Sequence, residues 1–100
     1  MLTLPVKKKW FDMIWTGGKN EEYREIKPYW RKRFSTAGLT FENGMPKAAG
    51  EVLFVNGYGN ARPAIRATVR ISIGQGRPEW GAEPEVLYFR LKILKKVRVR

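Results

Sequence analysis

Strict alternation of apolar and polar residues marks the second half of the chain. Apolar Ile65, Ala67, Val69, Ile71 and Ile73 interleave with Arg66, Thr68, Arg70 and Ser72. Because successive side chains of a strand point to opposite faces, residues 65–73 predict a strand with one face in the core and a basic face outward. Residues 86–99 alternate again through Leu87, Phe89, Leu91 and Ile93 and predict another long strand.

The first half of the chain mixes strand and helix patterns. Residues 2–6 predict a strand, with Pro5 near its end where a missing ladder donor does little harm. Residues 7–15 predict a helix, and its apolar face carries Trp10, Phe11, Ile14 and Trp15. We expect this helix to bury both tryptophans against a sheet.

Four shorter segments complete the pattern. Residues 19–26 predict a strand, and Pro28, tolerated in a first turn, begins a short helix that reaches residue 34. Residues 51–55 predict a strand that ends at the glycine turn 56–60. Residues 35–50 contain three glycines, a proline and no sustained periodicity, so we expect a mobile loop that forms a lid over a cleft.

This order of elements predicts an α+β fold, a partly closed β-barrel flanked by two short helices. One hundred residues support a single core, and 43% hydrophobic residues can fill it. The chain has neither cysteine nor histidine. That composition excludes disulfides, the usual zinc ligands and the common nucleophilic triads, so we expect no metal and no cofactor.

The charge of the chain indicates a polyanionic partner. Its formal net charge is +11, and basic residues cluster at 7–9, 31–33 and 95–100. No segment couples such charge to a long amphipathic face, so nucleic acid is favoured over a membrane surface. No apolar run approaches the roughly 20 residues that cross a bilayer, and no signal peptide is visible. We expect a cytoplasmic protein.

Residues 16–24 combine a glycine turn with three charged side chains. Gly17 and Gly18 can adopt the positive backbone angles that end a helix, and Lys19, Glu22 and Arg24 follow at close spacing. We expect these three to meet at the mouth of a cleft, where a lysine beside a carboxylate polarises a carbonyl or holds a phosphate. The alternative is a turn followed by a salt-bridged edge strand.

The spacing Gly17-x-Lys19-x-x-Glu22-x-Arg24 resembles the G-x-K-x-x-E-x-R signature of the ASCH family, part of the PUA-like superfamily of small β-barrels associated with RNA. Four further segments resemble small stand-alone ASCH proteins of bacteria and prophages: residues 2–7, 23–30, 56–59 and 76–81. The resemblance covers nearly the whole chain. It implies a PUA-like barrel, one ASCH domain over residues 1–100, and RNA or a modified nucleotide as ligand.

Two functions remain open. In the first, the protein binds RNA, with cations on phosphates and aromatic rings on exposed bases. The residues that we predict to bind nucleic acid are Lys7, Tyr23, Arg24, Tyr29, Trp30, Asn56, Tyr58, Arg62 and Trp80. For each aromatic residue, burial in the core is the alternative.

In the second, the protein is a small hydrolase. Some ASCH proteins that the chain resembles are amidohydrolases that remove an acyl group from a modified cytidine, using a lysine, a threonine three residues later and a distant glutamate; others are ribonucleases. Lys19 matches the lysine, but Glu22 stands in place of the threonine, so the nucleophile of that activity is missing. The remaining catalytic candidates are Lys19, Glu22 and Glu79.

Overall fold

The fold is a curled half-barrel with two helices. A computed structural model describes residues 1–39, 41–42, 45–46, 49–57 and 61–100. In chain order its elements are β1 (Leu2–Val6), α1 (Lys8–Thr16), β2 (Glu21–Glu25), α2 (Pro28–Thr36), β3 (Phe41–Glu42), β4 (Met45–Pro46), β5 (Ala49–Asn56), β6 (Ala64–Gln75), a 3-10 turn (Pro78–Trp80) and β7 (Leu87–Arg98). The predicted α+β class, with a partly closed barrel and two short helices, is confirmed.

Five strands form one mixed sheet in the order β1-β5-β6-β7-β2. β1 runs parallel to β5, and the other three neighbouring pairs are antiparallel. The strand that carries the motif, β2, therefore lies at one edge of the sheet and β1 at the other. Curling of the sheet brings these two edges towards each other, with the candidate site between them.

The alternation in β6 is confirmed. The alternate apolar residues Ile65, Ala67, Val69 and Ile71 are buried, and Ile73 is partly buried against the same core. Arg66 and Arg70 on the opposite face are exposed. A strand that packs one face on two helices leaves the other face to water, which is what the period of two requires.

The alternation in β7 holds only in part. Thr68 of β6 lies opposite Lys95, whereas the next residue, Val69, lies opposite Ile93, so Leu94 is an extra residue in β7. Such a bulge exchanges the faces on which later side chains lie. Leu94 is therefore 47% exposed, and Lys96 donates a hydrogen bond to the Ile14 carbonyl of α1.

Helix α1 buries less tryptophan than its pattern predicts. Phe11 and Ile14 are fully buried, but Trp10 is only partly buried and Trp15 is 39% exposed. At 100° per residue, Phe11 and Ile14 lie at the centre of the apolar stripe and the tryptophans at its two borders. The expectation that both tryptophans are core residues is wrong for Trp15. In the part of the chain that the structure describes, neither helix is long and apolar enough to span a membrane.

Parts of residues 35–50, where the sequence predicts a loop, lie in regular elements, while residues 37–38 form a turn. α2 continues to Thr36, β3 pairs with β4, and β5 begins at Ala49. Strands of two residues are too short to show alternation, so pairing rather than periodicity defines them. A role of this segment as a lid stays a prediction.

Candidate functional site

A cavity of about 280 Å³ opens between the two edge strands of the half-barrel. The residues that line it come from the end of β1, the start of α1, the motif and the 3-10 turn: Pro5, Val6, Lys7, Trp10, Lys19, Glu22, Tyr23, Arg24, Trp80 and Gly81. We call this space the motif cavity. Six of its ten lining residues are among those that the sequence predicts to act in catalysis or in nucleic-acid binding.

The turn after α1 sets the position of Lys19. Gly17 has φ +89°, a left-handed conformation that suits glycine, and its N–H donates to the Ile14 carbonyl. The backbone N–H of Lys19 then donates to the Met13 carbonyl over 3.1 Å. These bonds fold the chain back under the last turn of α1, so the Lys19 side chain enters the interior instead of leaving for solvent.

Lys19 lies at the floor of the cavity and not at its mouth, because the residue is only 2% exposed. Its Nζ lies 2.8 Å from Glu22 Oε1 and donates to the Trp80 carbonyl over 2.7 Å. The same ammonium lies 4.3 Å from the centre of the Trp10 ring. Burial lowers the pKa of Lys19, against the attraction of the Glu22 carboxylate, which raises it.

Glu22 and Arg24 continue the network along β2. They lie two residues apart and so project from the same face of the strand. Arg24 Nη1 is 2.6 Å from Glu22 Oε2, while Nη2 donates to the Pro5 carbonyl over 2.9 Å. Each oxygen of Glu22 therefore pairs with a different cation, Lys19 on one side and Arg24 on the other.

Tyr23, between the two charged residues, anchors the loop that carries Trp80. Its hydroxyl donates to Glu21 Oε1 and accepts from the Arg77 N–H, both over 2.9 Å. Burial is the main cause that raises the pKa of Tyr23 to about 12. The ring centre lies 5.6 Å from Lys19 Nζ, so Tyr23 also forms part of the cavity wall.

The structure brings together six of the predicted residues and separates the others. Lys7, Lys19, Glu22, Tyr23, Arg24 and Trp80 line the motif cavity. Glu79 is exposed on the 3-10 turn and is not among the lining residues, although its neighbour Trp80 is. The three catalytic candidates therefore do not share one cavity wall.

The remaining predicted nucleic-acid residues have other surroundings. Trp30 is covered by the Arg24 guanidinium at 5.2 Å and by Phe34, whose ring centre lies 5.7 Å away, so it supports Arg24. Tyr29 is 55% exposed and lines a different cavity. The Asn56 amide donates to the Val6 carbonyl over 3.3 Å and so ties β5 to the end of β1.

Two predicted residues lie away from the described site. Arg62 precedes β6, where its carbonyl accepts a hydrogen bond from Arg100, and it is absent from the lining of the motif cavity. Tyr58 lies outside the described residues, and its predicted role stays a prediction.

Sequence reasoning missed Trp10 as a site residue. Its helical spacing marks it as core, yet the ring carries the Lys19 ammonium on its face and forms a wall of the motif cavity. The position of Trp10 in the helix was a signal for this role. An aromatic residue at the border of an apolar stripe can contact both the core and solvent.

The chemistry of the motif cavity is that of paired charges and aromatic walls. Within the described ranges, no group of three or more acidic side chains is placed to hold a metal ion. Comparison of the chain with families of proteins, with curated protein sequences and with solved structures finds no match.

Proposed function

We propose that the protein is an ASCH-type domain that binds RNA or a modified nucleotide in the motif cavity, in the cytoplasm. The observation that carries the proposal is the convergence of the G-x-K-x-x-E-x-R residues on one cavity with aromatic and cationic walls. Lys19, Glu22 and Arg24 lie within six residues of the chain, and their side chains form one connected network. The network also lines a cavity that opens to solvent. The alternative, an edge strand stabilised by ion pairs, does not require such a cavity.

The walls suit a nucleotide in both charge and shape. Trp10 and Trp80, both partly buried, supply aromatic surface, on which bases stack irrespective of sequence. Lys7 is exposed at the rim of the cavity and supplies a cation for phosphate. A volume of 280 Å³ lies just below the range of about 300–1,000 Å³ typical of small-molecule sites, so we expect one nucleotide at a time in this space.

The geometry favours binding over turnover. Of the described residues that line the motif cavity, Glu22 alone is acidic, and each of its oxygens already pairs with a cation. A general base needs a lone pair that is free to accept a proton from water or substrate. Glu22 is buried and held by Lys19 and Arg24, so its oxygens are engaged in the network instead of being presented to a ligand.

A hydrolase is the second candidate, and one observation favours it. Burial lowers the pKa of Lys19, which moves the amine towards the neutral form that general bases and nucleophiles require. The test is an assay of acylated cytidine nucleosides and of single-stranded RNA with wild type and Glu22→Gln. A catalytic Glu22 predicts loss of turnover with binding retained, whereas no turnover by wild type rejects this candidate.

The binding proposal is tested by titrating labelled single-stranded RNA at about 50 mM and about 200 mM salt. We expect affinity to fall steeply with salt, because each neutralised phosphate releases counterions. Lys7→Ala should weaken binding and make the salt slope shallower by about 0.7, the value of one contact to a single strand. Lys92→Ala is the matched control, since Lys92 is also exposed but lies outside the motif cavity.

Two results would contradict the binding proposal. RNA affinity that does not change with salt would show that the basic surface is not the binding surface. Equal effects of Lys7→Ala and Lys92→Ala would show a diffuse charge effect rather than a site at the motif cavity.

A further inference from the structure

A second cavity of about 660 Å³ lies beside α2, larger than the motif cavity. The residues that line it come from the start of β1 and from α2: Met1, Leu2, Tyr29, Lys32, Arg33, Thr36 and Ala37. We call it the α2 cavity. Tyr29, Lys32, Arg33 and Thr36 follow the helical spacing i, i+3, i+4, i+7, so one whole face of α2 forms its wall.

The chemistry of this helix face is basic and aromatic. Lys32 and Arg33 supply two cations, Thr36 a hydroxyl, and none of the described residues that line the cavity is acidic. Tyr29 leaves 55% of its surface open to solvent, and the Arg33 guanidinium lies 5.4 Å from its ring centre. A half-exposed ring beside cations is the arrangement that proteins use to bind single-stranded nucleic acid by stacking and phosphate contact.

A continuous set of contacts joins the two cavities. Tyr29 contacts Trp30 with ring centres 4.9 Å apart, and Trp30 lies under the Arg24 guanidinium at 5.2 Å. Arg24 itself lines the motif cavity. The wall of the motif cavity is therefore linked to the wall of the α2 cavity through Arg24, Trp30 and Tyr29.

We propose that the α2 cavity is a second subsite for single-stranded RNA, in which a base stacks on Tyr29 and the adjoining phosphate contacts Lys32 and Arg33. This inference rests on the proposed function, because the motif cavity holds the neighbouring part of the same strand. It specifies the ligand further: an oligonucleotide occupies both subsites, whereas a free nucleotide occupies only the motif cavity.

The experiment compares uridine monophosphate with an oligouridylate of about eight nucleotides, a length within the range bound by single domains. Tyr29→Ala should weaken binding of the oligomer at least about fivefold, the effect of one lost stacking contact, and leave the affinity for the monophosphate unchanged. Tyr29→Phe keeps the ring and should restore wild-type affinity. Lys32→Ala should make the salt slope for the oligomer shallower by about 0.7.

The variants used here are at exposed positions, so we expect them to fold, and melting curves check this. Equal oligomer affinity of wild type and Tyr29→Ala would overturn the inference, as would a Tyr29→Phe variant as weak as Tyr29→Ala. Lys7→Ala separates the two proposals. If Lys7→Ala weakens RNA binding and Tyr29→Ala does not, the second subsite alone is rejected. If only Tyr29→Ala weakens it, the motif cavity is rejected as the RNA site, and the inference that one strand spans both subsites is rejected with it.

Discussion

Arg24 donates a hydrogen bond of 2.9 Å to the main-chain carbonyl of Pro5. Arg24 belongs to β2 and Pro5 to β1, the two edge strands of the five-stranded sheet. The side chain therefore bridges the open side of the half-barrel. Its other end is fixed by Glu22 at 2.6 Å, and Trp30 supports the guanidinium plane.

Replacement of Arg24 by lysine should destabilise the fold although the charge is kept. A single ammonium cannot reproduce the planar fork that reaches Glu22 and Pro5 together. We expect Arg24→Lys to lower the free energy of unfolding by about 1.5–3 kcal/mol, the usual contribution of a hydrogen bond to a charged group. Urea denaturation measures this, and Arg70→Lys on the exposed face of β6 should stay within about 0.5 kcal/mol of wild type. Equal losses in both variants would show that the bridge does not contribute.

Removal of the Lys19 charge should lower the free energy of unfolding more than Arg24→Lys does. Lys19→Met leaves the buried Glu22 with one cation and the Trp80 carbonyl without its donor, and the two side chains of the pair are 1% and 6% exposed. Breaking a buried ion pair from one side typically costs about 3–5 kcal/mol. We expect a loss of that size in denaturation, whereas Lys92→Ala should be nearly neutral. Wild-type stability of Lys19→Met would mean that water reaches Glu22 and replaces the lost partner.

Stability should fall between pH 10 and pH 12 because of Tyr23. Its pKa is raised from 10.0 to about 12, so in this window the unfolded chain releases a proton that the folded chain retains. This shift corresponds to roughly 3 kcal/mol of stability, fully present below pH 10 and lost as pH rises through 12. Tyr23→Phe has no such proton and should lack this part of the decline. Unfolding free energies of both proteins measured across the window provide the check, and parallel curves would contradict it.

Two glycines near the end of β6 should differ in their tolerance of alanine. A Cβ at Gly76 would lie 2.7 Å from both Ala82 Cβ and Tyr23 Cζ. Both side chains are buried and have no room to move away. The three atoms nearest to a Cβ at Gly74 all belong to the guanidinium of Arg90, the far end of a flexible side chain. We expect Gly76→Ala to lower stability by about 1–3 kcal/mol through overpacking and Gly74→Ala to cost clearly less. Thermal melting of both variants measures the two losses. A larger loss in Gly74→Ala than in Gly76→Ala would contradict the packing described around Tyr23.

The parts of the fold that follow from local pattern were predictable. Alternation in β6 is visible because the strand is long and one-sided, and the close spacing of Lys19, Glu22 and Arg24 is enough to bring them together. These relations span a few residues, so the geometry of a strand or turn determines them without reference to the rest of the chain.

The parts that depend on distant contacts were not predictable. The burial of Lys19 depends on the Trp80 carbonyl, an acceptor that any residue type provides and that no sequence pattern marks. The bulge at Leu94 is set by pairing with β6, and the exposure of Leu87 and Trp15 shows that a large apolar residue is no proof of a core position.

The bridge between the edge strands has a further consequence for aggregation. An exposed strand edge is a template for another chain, because its N–H and C=O groups lack partners. At position 5 that template is blocked twice, since proline has no N–H and its carbonyl is already bound to Arg24. Loss of Arg24 would remove the second of these blocks, because it frees the Pro5 carbonyl to accept a hydrogen bond from another chain. We therefore expect self-association of the native protein to increase along with its unfolding.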